Sequence, residues 1–161
     1  MAKEELQYDD FLADVHADFQ GFVSQVNDYC TQKGCKLKLE LAKNGYVASY
    51  QFGKPGKTVL NFVFRKDKLF VRIYGDHTQR YLDYLETLPD SLVNAIDKAA
   101  SCKRMLDPTK CNSRCAMGND ITIKGVRYQK CRYSTFLFEV TDENVPFLMG
   151  ILQREIDERA A

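Results

Sequence analysis

No apolar stretch in this sequence comes near the roughly 20 residues a membrane-spanning helix needs, which excludes a helical membrane protein. Histidine is scarce, with only two residues, so imidazole chemistry rests on His16 and His77. His16 borders the apolar stripe of a first helix and His77 falls at a helix start, positions that suit structural or exposed roles. There is no G-x-S-x-G, no H-E-x-x-H, no phosphate-binding loop of the G-x-x-x-x-G-K-[ST] type and no dinucleotide fingerprint. The run GKPGK at 53–57 lacks the spacing of a phosphate cradle and joins two strands rather than opening a helix. Nothing here names a catalytic residue. Repeats and low-complexity tracts are also missing, and the start MAKEELQYDD lacks the basic and then apolar layout of a signal peptide, so a cytoplasmic protein is expected. A net charge of only +1 gives the chain as a whole little attraction for polyanions.

What is present is the composition of one ordinary globular domain. The 161 residues are 45% hydrophobic and 28% charged, enough for a single core, and a single α+β domain over 1–161 is expected. Phe11, Val15, Phe19, Phe22, Val26 and Tyr29 recur at spacings of three and four, which predicts one amphipathic helix capped by Asp9 or Asp10 and stopped at Gly34. The period then becomes two. Leu37, Leu39 and Leu41 alternate with charge, Asn44-Gly45 marks a hairpin, and Pro55-Gly56 fits the centre of a type II turn. With VLNFVF and LFVRIY beyond, a four-stranded antiparallel meander is predicted over 37–74. Asp76 with Gln79 resembles a capping box, and Thr87, Pro89 and Asp90 start a helix running to about Met105. Two short strands across Gly125, a strand in STFLFEV and a closing helix after Pro146 complete the order.

The segment 102–131 stands apart. It holds Cys102, Cys111, Cys115 and Cys131, spaced C-x8-C-x3-C-x15-C, and residues 107–120 have almost nothing apolar to bury. Ordering such a loop costs roughly 1 to 2 kcal/mol per residue, so it needs a fastener. Cys111 and Cys115 have the spacing of half a zinc site, Cys102 and Cys131 supply the other half, and four sulfur ligands make a closed, structural site. Cys30 and Cys35, in CTQKGC, need no role beyond packing. From Cys102 to Arg132, eight cations (Lys103, Arg104, Lys110, Arg114, Lys124, Arg127, Lys130 and Arg132) face two carboxylates, a local +6 that leaves −5 elsewhere.

The run GKTVLNFVFRKDKLFVRIYGD, two helical segments, the strand STFLFEVTDEN and a terminal helix follow one another over residues 46–158. In that element order and in the V-T-D-E junction, the chain resembles uncharacterised bacterial single-domain proteins related to the YjbR-like family. The resemblance implies an antiparallel sheet packed by helices and attaches no activity to particular residues. The cysteine loop is an insertion relative to the simpler members.

Two functional expectations follow. The first is a non-catalytic module that binds a small molecule or protein partner, with a zinc-held loop and with Asn61, Arg72 and Tyr74 on the second sheet face lining a groove. The alternative is a nucleic-acid-associated protein whose loop cations, Lys103, Arg104, Lys110, Arg114, Lys130 and Arg132, meet phosphates beside Tyr128 and Tyr133.

Overall fold

The computed structural model describes residues 5–111, 115 and 118–161. Its centre is an antiparallel sheet of five strands: β1 (Lys36–Ala42), β2 (Gly45–Phe52), β3 (Lys57–Arg65), β4 (Lys68–Ile73) and β7 (Phe136–Glu139), in that spatial order. Strands β5 (Asn119–Ile123) and β6 (Val126–Lys130) form a separate hairpin. Lys124 and Gly125 both take positive φ there, the requirement of a two-residue type I′ turn. The α+β class and the four-stranded meander are those read from the alternating pattern, and β7 extends the meander at its β4 edge.

Register puts the core on one face. Ala48, Phe62, Val71 and Phe138 lie in one cross-strand row, and Tyr50, Leu60, Ile73 and Phe136 in the next. All eight are buried. Helices α1 (Tyr8–Asp14) and α2 (Ala17–Gln32) cover this face, with Phe11 and Phe22 each about 6 Å from Phe62, at 5.9 and 6.1 Å between ring centres. Tyr50 donates its hydroxyl to Asn27 at 2.7 Å. The closing helix α6 (Val145–Ala160) buries Leu148, Ile151, Leu152 and Ile156 in the same cluster. The opposite face carries the row Ser49, Asn61, Arg72 and Leu137.

Several local expectations are corrected. The first helix is two: Val15 turns extended, His16 caps α2 by accepting from the Asp18 N–H, and Gln20 donates to the Leu12 and Val15 carbonyls that the break frees. Gly34, at φ +84°, ends α2 as expected. The first hairpin turns on Lys43 and Asn44, with Gly45 already paired to Ala42. The second has a cis Lys54–Pro55 bond and its positive φ at Gly53, so Pro55-Gly56 is not the centre of a type II turn. No capping box forms at Asp76. A 3-10 turn (Thr78–Arg80) and α3 (Leu82–Leu85) follow without a side-chain cap, because Asp76 is taken by two arginines and Gln79 by the Asp120 carbonyl. The next helix, α4 (Asp90–Lys98), stops seven residues before Met105, and a separate turn, α5 (Lys103–Leu106), begins after Cys102. Among the described residues no helix is long and apolar enough to cross a membrane.

Candidate metal centre and adjoining cleft

The interruption between α4 and α5 is what places the first cysteine. Residues 99–102 run extended beside the end of β6: Ser101 bridges Lys130, the Cys102 N–H donates to Gln129 at 3.0 Å, and the Cys131 N–H donates to Ala100 at 2.8 Å. In that antiparallel register Cys102 and Cys131 are diagonal neighbours on one side of the paired segments, a relation that spans roughly 7 to 8 Å between backbones. Two cysteines with 28 residues between them are therefore brought together by backbone pairing alone.

The loop then folds back toward them. Asp107 accepts from both the N–H and the hydroxyl of Thr109, a tight side-chain turn, and Cys111 adopts a left-handed φ of +65°. Arg104 donates to the Cys115 carbonyl at 2.6 Å, tying the loop to α5. Gly118 passes so close to Cys102 that an added Cβ would collide with the Lys130 carbonyl and stand 3.0 Å from the Cys102 sulfur. Cys115 feels all three other thiols: burial pushes its titration up, and Cys111, Cys131 and Cys102 push it further, Cys111 through a hydrogen bond as well. Among the described residues, no group of three or more His, Cys, Asp or Glu side chains is close enough together to hold a metal ion. The four thiols thus share a neighbourhood without being closed onto one point, and they carry no disulfide.

Beside this loop lies an open cleft of about 1010 Å³ between the 53–57 hairpin, the end of β4, the 131–135 connection and the last turn of α6. Its floor is a polar network the sequence reading missed. Glu155 is completely buried and accepts from the Tyr81 hydroxyl at 2.7 Å, the His77 N–H at 3.0 Å and Arg159 Nε at 2.9 Å, with His77 Nδ1 2.9 Å away. Arg159 continues to the carbonyls of Lys57, Thr58 and Tyr74 and to Asp76 at 3.0 Å. Asp76 also receives a two-pronged contact from Arg132, at 2.7 and 3.0 Å. Burial opposes the Asp76 charge, but the Arg132 bonds and the charges of Arg132, Arg159 and His77 outweigh it and hold the carboxyl below its ordinary range. Burial, then the Glu155 charge, pushes the Tyr81 hydroxyl far up, so it remains a donor.

One sequence signal pointed here. Glu155 falls in the apolar stripe of the last helix, between Leu152 and Ile156, where a carboxylate must find partners.

Tyr74 lines the cleft, buried, with its ring at right angles to Tyr133 and the Arg132 guanidinium 4.7 Å above it. Asn61 lies behind it, 6% exposed, donating to the Tyr74 hydroxyl at 3.3 Å while its own Oδ1 is buried without a partner. Arg72 does not line the cleft; it reaches across the sheet edge and donates to the Tyr133 carbonyl at 2.7 Å. Of the loop cations, Lys130 caps the carbonyls of Asp97 and Ala99, Arg132 holds Asp76, Arg127 pairs with Asp120, and the Lys124 ammonium donates to the Leu88 carbonyl and pairs with Asp90. Lys103 and Lys110 are exposed, and Arg114 lies outside the described residues.

Cys30 and Cys35, expected only to pack, stand closer than that. Their thiols share a hydrogen bond that, with burial, drives Cys30 well up, while the same bond and the Arg159 charge bring Cys35 down against its burial.

Compared with protein-family models, curated proteins and solved structures, the chain has no significant match to any of the three, so nothing in them bears on the resemblance to the YjbR-like family.

Proposed function

We propose that this is a non-catalytic binding module in which Cys102, Cys111, Cys115 and Cys131 hold a structural zinc ion and so fix the loop that walls the cleft. The observation that carries the reading is the pairing of residues 100–102 with 129–131, which sets Cys102 and Cys131 side by side beneath the returning loop. The upward push that Cys111, Cys131 and Cys102 each add to the titration of Cys115 supports it. Neutral thiols have little to draw them together, whereas a divalent cation binds four deprotonated sulfurs at about 2.3 Å each and closes the set. With four sulfur ligands no position stays open for water or substrate, which favours structure over metal catalysis. Cys115 belongs to the loop and also lines the cleft, so ordering the one shapes the other.

The nucleic-acid reading gains no support of this kind, since Lys124, Arg127, Lys130 and Arg132 spend their donors on neighbouring carbonyls and carboxylates. The test is metal content on freshly purified protein. One zinc per chain is expected, falling to well under half in Cys111→Ser and Cys115→Ser. Metal-free protein with a loop as protease-resistant as that of the zinc-treated sample overturns the reading.

A further inference from the structure

We infer that the cleft beside the cysteine loop takes a small phosphate-bearing anion, held at its mouth by Lys54 and Lys57 and on its wall by Arg132. The inference rests on reading the cleft as a binding site, and not on the metal. The charges on the floor are matched: Arg159 answers Glu155, Arg132 answers Asp76, and every oxygen of Glu155 is in use. What remains is unmatched and of one sign. Lys54 and Lys57 project from the exposed hairpin that forms one lip, and no carboxylate pairs with either among the described residues. Arg132 gives Nε and one terminal nitrogen to Asp76, which holds its guanidinium over the Tyr74 ring and leaves its other terminal nitrogen without an acceptor among the described residues. A guanidinium positioned in this way loses little freedom on meeting a tetrahedral oxyanion.

The wall supplies the remaining chemistry. Tyr133, 47% exposed, stands at right angles to buried Tyr74 and offers an aromatic surface beside the three cations. A cleft of about 1010 Å³ suits a small molecule rather than a macromolecular chain. Asp76, the one carboxylate on the lining, is covered by two arginines and presents little free negative charge to repel the ligand.

The experiment is calorimetric titration and thermal shift with inorganic phosphate, then with adenosine monophosphate as a probe bearing a ring, each against sodium chloride of equal ionic strength. Saturable phosphate binding that weakens roughly tenfold in Lys54→Ala/Lys57→Ala supports the inference, since that variant removes two of the three cations offered to the anion. Both lysine side chains are exposed, Lys54 on the turn and Lys57 at the start of β3, so that variant keeps its fold, checked by its unchanged melting temperature without ligand. Tighter binding of the nucleotide than of phosphate, lost in Tyr133→Ala, assigns the ring to the aromatic wall. Binding no stronger than the chloride control, or binding unchanged in the lysine variant, overturns the inference. Because metal content is measured separately, zinc without phosphate binding rejects the anion alone, and phosphate binding by zinc-free protein rejects the metal alone.

Discussion

Glu155 shows how much one residue decides. A carboxylate in the apolar stripe of a closing helix is costly unless each oxygen is satisfied, and here Tyr81, His77 and Arg159 satisfy both. Removing it leaves Arg159 Nε, the Tyr81 hydroxyl and the His77 N–H without their acceptor beside a void, although Arg159, only 6% exposed, keeps Asp76. Glu155→Ala is expected to cost about 3 to 5 kcal/mol in urea denaturation, and Glu155→Gln, which keeps an acceptor and the volume, clearly less. Equal losses in the two variants would mean that packing, not charge, is what Glu155 contributes. Gly118 makes the same point by absence: no side chain fits between the Lys130 carbonyl and the Cys102 sulfur, so only glycine brings the loop that close.

At the scale of the element, two glycines in helices face opposite outcomes from one substitution. Gly21 in α2 has nothing within 4 Å of a built Cβ, so Gly21→Ala gains only helix propensity and should stabilise by about 0.5 to 1 kcal/mol. Gly150 in α6 abuts the ring of Tyr84, which cannot retreat: its hydroxyl donates to Phe147 and Arg154 stacks 3.7 Å from its ring centre. Overpacking there costs about 1 to 3 kcal/mol, which exceeds the propensity gain, so Gly150→Ala should lower the melting temperature while Gly21→Ala raises it. Element type was legible wherever the period was clean, as in the meander and α6. Boundaries were not. The stripe from Phe11 to Tyr29 continues through the Val15–His16 break because both helices pack on the same sheet face, and apolar spacing records the face rather than the break. The end of α4 was misplaced for a related reason, since residues 99–102 leave the helix to pair with β6, a partner about 30 residues away.

Across the whole molecule, Asp76 joins the end of β4 to the 131–135 connection and to α6 through Arg132 and Arg159. Its folded pKa is lowered from an ordinary value of 3.8, so the unfolded chain binds its proton first as pH falls. The stabilisation is therefore present above about pH 4 and is lost as pH drops through the folded value. Wild type should exceed Asp76→Asn in stability at pH 6, with the gap narrowing progressively as pH falls below about 4; a gap that stays constant into that acid range would assign the effect to shape rather than charge. By itself the sequence determined the α+β class, the meander, the helix stop at Gly34, the turn at Gly125 and a loop poor in apolar residues between the cysteines, because periodicity, turn chemistry and composition act over a few residues. Tertiary structure alone decided that residues 100–102 pair with 129–131 to set Cys102 near Cys131, that Asp76 binds two arginines rather than capping a helix, and that a cleft opens beside Tyr74. Each of these depends on segments far apart in the chain being held at hydrogen-bond distance, and short-range pattern carries no record of which distant partner a polar group will find.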